Sequence, residues 1–132
     1  MRGEIENKNR ARQLRDFTGL TFGKITPTDI DGFVEFWDRL FVWIEAKVAG
    51  TELPYGQRLA LERVCDAIQN KQNGKTAAVL ILRHETTPDQ DIDFASCPVI
   101  EYRHDHSWHK PQTAITCRAA IEVLLKMAGI HY

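Results

Sequence analysis

Two runs of β-branched and aromatic residues, "IDGFVEF" over 30–36 and "LFVWIEAKV" over 40–48, lie three residues apart. Strand-type runs so closely spaced predict a β-hairpin turning at Trp37-Asp38-Arg39. Further on, "TAAVLILR" (76–83) is almost continuously apolar, the pattern of a strand buried on both faces, and "PVIEYR" (98–103) predicts a shorter strand after a polar loop. Elsewhere the period changes to that of a helix. "PYGQRLALERVCDAIQNKQNG" (54–74) opens on Pro54, repeats apolar residues at Leu61, Val64, Cys65 and Ile68, and closes on Gly74. "AITCRAAIEVLLKMAG" (114–129) sets Ile121, Leu124, Leu125 and Ala128 on one stripe. Near the start, residues 3–16 carry no breaker after Gly3 and predict a polar helix bearing Lys8, Arg10, Arg12 and Arg15, while "LTFGKI" (20–25) predicts a short strand. The order helix, strand, hairpin, helix, strand, strand, helix predicts one α/β (α+β mixed) domain over 1–132, with a mixed central sheet flanked by helices.

A hairpin built for a core has little use for charge, yet Asp29, Asp31, Glu45 and Lys47 occur in it. With a three-residue loop, Phe36 faces Leu40, which sets Asp31 opposite Glu45 and Asp29 opposite Lys47. Side chains alternate along a strand, so all four share one face at the end away from the turn. Carboxylates crowded in this way repel and raise one another's pKa unless a cation joins them. Hard carboxylate oxygens hold Mg²⁺, which polarises a phosphodiester, and a neighbouring lysine can orient or activate the attacking water.

Composition narrows the setting. The chain has 132 residues, 43% of them hydrophobic and 27% charged, which is ordinary for a soluble globular protein, and no apolar run is long enough to cross a bilayer. No membrane role is expected. "MRGEIENKNR" is too polar for a signal peptide, and three cysteines, Cys65, Cys97 and Cys117, cannot all pair within one chain, so a reducing, cytoplasmic setting is expected. A formal net charge of −1 gives no overall attraction to nucleic acid, and any such partner must be met by a local basic face. His104, His106 and His109 in "EYRHDHSWHKP" match no common zinc set and are read as a polar loop.

The acidic hairpin resembles the PD-(D/E)xK, or restriction endonuclease-like, nuclease superfamily. Its signature is matched by Asp31, thirteen intervening residues, and then Glu45-Ala46-Lys47, with apolar strand surroundings on both sides. The Pro-Asp pair of the family is absent, since "PTDID" offers both Asp29 and Asp31; Asp31 is favoured because it opposes Glu45. The resemblance covers residues 3–84 and implies an αβββαβ core. It also implies Mg²⁺, with Mn²⁺ as substitute, held by Asp31 and Glu45 with Asp29 as a further ligand. Lys47 would position the water that attacks in line. Gln57, at the start of the following helix, would hydrogen-bond the site or the nucleic-acid backbone. Glu4 and Glu6 are the candidates for an acid from the first helix, and His84, ending the buried strand in Arg83-His84-Glu85, is a candidate for substrate contact. The expected activity is hydrolysis of phosphodiester bonds in nucleic acid, with DNA favoured, by a homodimer or a larger complex. The alternative is a catalytically inactive nuclease-fold module that binds nucleic acid or a protein partner.

Overall fold

The computed structural model describes residues 14–132, and in it the apolar runs of the sequence become the strands of one sheet. Strands β1 (Gly32–Phe36), β2 (Leu40–Val48), β3 (Thr76–His84), β4 (Val99–His104) and β5 (Ser107–His109) lie side by side in that order. Only β2 and β3 run parallel, joined by the crossover helix α1 (Tyr55–Ile68); the other neighbours are antiparallel. A second helix, α2 (Cys117–Met127), follows β5, with its first turn capped by the Thr116 hydroxyl, which accepts from the Ala119 N–H at 3.2 Å.

The continuous apolar run forms the central strand, as its pattern requires: Ala77 to Leu82 are each 3% exposed or less. Alternation along β3 divides the core in two. Ala78, Leu80 and Leu82 pack with Leu40 and Val42 against Leu124 and Leu125 of α2, while Ala77, Val79 and Ile81 pack with Trp43 against Leu61 and Cys65 of α1. One helix therefore covers each face, which makes a mixed α/β architecture. On α1 the arc facing the sheet runs from Gln57 through Leu61 and Cys65 to Arg58 and Glu62, and this leaves Val64, expected in the apolar stripe, exposed on its border.

The hairpin forms in the register that its loop length dictates, with Phe36 opposite Leu40 and Gly32 opposite Ile44. Trp37 and Asp38 adopt left-handed backbone angles to close it, at φ 49° and 61°, and Asp38 is held by an ion pair to Lys75 at 2.5 Å. Upstream, one expectation is not met and another lies mostly outside the described residues. "LTFGKI" makes no strand: Gly23, at φ 64°, reverses the chain so that Phe22 pairs with Ile25 in a single bridge, and both side chains are exposed. Leu14–Asp16 are not helical, and the rest of the predicted helix, with Lys8, Arg10, Arg12, Glu4 and Glu6, lies outside the described residues. Of the expected αβββαβ order, the described residues hold the hairpin, α1 and β3 in sequence.

The run read as a polar loop is a second hairpin. His104 pairs with Ser107 and Tyr102 with His109 across a two-residue turn, in which Asp105 and His106 both take left-handed angles, at φ 53° and 63°. Among the described residues, no helix is long and apolar enough to cross a membrane.

Candidate functional site

The β1–β2 ladder ends at Gly32, and one residue earlier Asp31 leaves it opposite Glu45. There the pairing passes from backbone to side chain. The Asp31 N–H donates to Glu45 Oε1 at 3.4 Å, and Asp31 Oδ2 accepts from the Ala46 N–H at 2.8 Å, in place of a ladder carbonyl. Glu45 follows Trp43 on the α1 face and is 1% exposed. The first turn of α1 lies over it, so that Gln57 Nε2 reaches Glu45 Oε1 at 2.9 Å and the Asp29 carbonyl at 2.8 Å. Asp31, Glu45 and Gln57 thus meet at the open end of the hairpin.

Burial first, and then the Asp31 carboxyl beside it, push the Glu45 carboxyl up from its ordinary 4.5 to about 7, against the opposing effects of the Asp31 N–H and the Lys47 charge. A carboxyl in this range exchanges its proton near neutrality. The donor set fits a hard divalent ion. N–H groups donate to Glu45 Oε1 and to Asp31 Oδ2, and the two carboxyl groups also lie within hydrogen-bonding reach of each other, close enough for one cation to replace the proton between them. Asp31 and Glu45 are therefore the residues that would hold Mg²⁺ or Mn²⁺.

Lys47 lies two residues beyond Glu45 and so on the same face, half-buried, with no ion pair among the described residues. Asp29 is placed differently from the expectation. Because β1 begins only at Gly32, Asp29 does not pair with Lys47; its carboxylate turns to Arg15, at 3.1 Å, and only its carbonyl joins the site through Gln57. Among the described residues no three acidic, histidine or cysteine side chains gather as one metal group, and Asp29 does not join Asp31 and Glu45. His84 also lies elsewhere. It shares the parity of Leu80 and Leu82, on the face covered by α2, and its Nδ1 is 2.7 Å from the Thr86 hydroxyl.

A neighbouring network was not anticipated from sequence. Register places Glu45, Ile81 and Glu101 in one row across β2, β3 and β4. Glu101 forms a bidentate pair with Arg58, at 2.7 and 2.8 Å, and the Arg58 guanidinium lies 4.0 Å from the centre of the Trp108 ring. Arg103 pairs with Asp66, and the Trp108 indole N–H donates to Glu62 at 2.8 Å. The signal was the spacing of Arg58, Glu62 and Asp66, one turn apart on α1, against the alternating Glu101 and Arg103 of β4. These contacts fasten the helix end that presents Gln57. Beside this network lies a cavity of about 590 Å³ whose walls include Lys47, Tyr55, Arg58, Ile81, Glu101 and Lys110. No family model, curated protein or solved structure matches the chain.

Proposed function

We propose that the protein is a metal-dependent nuclease, hydrolysing phosphodiester bonds of nucleic acid, with DNA the favoured substrate and Mg²⁺ or Mn²⁺ the ion. The observation that carries this reading is the meeting of Asp31 and Glu45 at the hairpin's open end, carboxyl beside carboxyl, beneath Gln57 and two residues from Lys47. A buried carboxyl set beside a second carboxylate with no cation between them costs stability, and a fold that keeps such a pair has a use for it. The sequence resemblance to the PD-(D/E)xK superfamily, with a hairpin, helix and buried strand in the family's order, supports the same reading.

When bound, the ion polarises the phosphodiester and makes water a stronger nucleophile. The remaining work falls to the chain. Gln57 donates to Glu45 Oε1 and holds that carboxyl in the orientation in which it would receive an ion. The Ala46 N–H does the same for Asp31 through Oδ2. Lys47 supplies a positive charge beside the phosphodiester and orients the attacking water, while the Arg58–Glu101 pair keeps the start of α1 in position.

Purified protein should cleave DNA with Mn²⁺ or Mg²⁺ and not with EDTA. Lys47→Ala should slow cleavage by about a hundredfold or more, the scale of a lost proton-handling group, while leaving the rise in melting temperature caused by Mn²⁺ intact. Equal cleavage by wild type and Lys47→Ala would mean that the activity belongs to a contaminant and not to this site.

A further inference from the structure

We propose that the cavity beside Lys47 takes one unpaired nucleotide of the strand being cut, so that the substrate is a single strand or a splayed end and not an intact duplex; this rests on the nuclease reading above. The cavity opens on the face of the sheet that carries Glu45, one strand further on, and Lys47 belongs to both. Its volume, about 590 Å³, is in the range of about 300–1,000 Å³ typical of pockets that bury one small molecule, the size class of a nucleotide and not of a base-paired helix.

The lining has the parts that an unpaired nucleotide requires. Arg58 and Glu101 neutralise each other through their bidentate pair, and of the remaining charges Lys47 and Lys110 outnumber Glu52, leaving a cationic excess for a phosphate. Helix α1 begins at this wall with no side chain capping its first turn, and its free N–H groups add to the positive potential. Tyr55, the first residue of that helix, is 79% exposed and stands in the cavity wall, where its ring offers a stacking surface for a base that has left its partner. A ring there would gain nothing from a paired base already stacked on both sides.

The test is fluorescence anisotropy in EDTA, with a fluorescein-labelled thymidine oligonucleotide and a blunt duplex of the same length, beside Mn²⁺-dependent cleavage of both. The single strand should bind about tenfold or more tighter than the duplex. Tyr55→Ala should weaken single-strand binding by about tenfold and leave duplex binding unchanged, while Tyr55→Phe, which keeps the ring, should bind as wild type does. Lys110→Gln should reduce the salt dependence by about one phosphate contact, a slope change of about 0.7. Equal affinity for the two probes, or single-strand binding indifferent to Tyr55→Ala, would overturn the proposal. The two readings fail separately: Tyr55-dependent strand binding without any Mn²⁺-dependent cleavage would remove the nuclease and keep the nucleotide site, and duplex cleavage untouched by Tyr55→Ala would do the opposite.

Discussion

Replacing Glu45 by Gln keeps the shape of the buried side chain and the oxygen that accepts from Gln57, but removes its titration. In the wild type the folded-state pKa is raised from 4.5 to about 7, mainly by burial and then by Asp31. Between these two values the folded protein holds a proton that the unfolded chain has released, so stability falls as pH rises through this window and is level above it. A shift of this size corresponds to on the order of 3 kcal/mol, present in full below the unfolded-state pKa and lost once the folded carboxyl ionises. Glu45→Gln and wild type should therefore unfold at similar urea concentrations near pH 4.5, and a gap should open in favour of the variant, reaching on the order of 3 kcal/mol at about pH 8. Taking the difference between the two proteins cancels the other titrating groups. Adding Mn²⁺ at the higher pH should close the gap by stabilising only the wild type. A difference that does not change with pH, or a variant that loses stability in parallel with the wild type, would refute the assignment of Glu45 as a buried, proton-exchanging carboxyl.

Two other consequences concern the frame around the site. Arg58→Met should cost about 1–3 kcal/mol by leaving the half-buried Glu101 carboxylate without its partner, and Glu101→Gln in the same chain should recover much of the loss; additive losses in a double-mutant cycle would contradict the coupling. Substituting Asn-Gly at Asp105 and His106, both left-handed, should raise stability by about 1 kcal/mol in urea unfolding, and an unchanged or lowered midpoint would show that the turn is not under backbone strain.

The carboxylate pair was legible because hairpin register depends on local quantities. A three-residue loop between two apolar runs leaves one pairing that buries the right face, and Asp31 follows to its place opposite Glu45. Gln57 was legible for a similar reason, lying one helical turn before the buried Leu61. Elsewhere local pattern gave way. "LTFGKI" has strand composition, but a strand needs a neighbour, and Gly23 turns these residues back on themselves. The β4–β5 turn was hidden because Asp-His lacks the Asn-Gly signal of its backbone conformation. Asp29 and His84 depended on where a strand begins and which way it alternates, and a shift of a residue or two moves such side chains to another partner or face. The Arg58–Glu101 pair joins residues 43 positions apart, and its register exists only once β4 has paired with β3.

A divalent cation shared by Asp31 and Glu45 is the premise of the proposed activity. Its most direct test is an anomalous-scattering map from crystals soaked in Mn²⁺ at about pH 8, where Glu45 has given up its proton. One strong peak is expected at about 2.1 Å from an oxygen of each carboxylate, reduced to background in Asp31→Asn. A saturating soak that leaves no density between the two acids, or Mn²⁺ bound by only one of them, would contradict it.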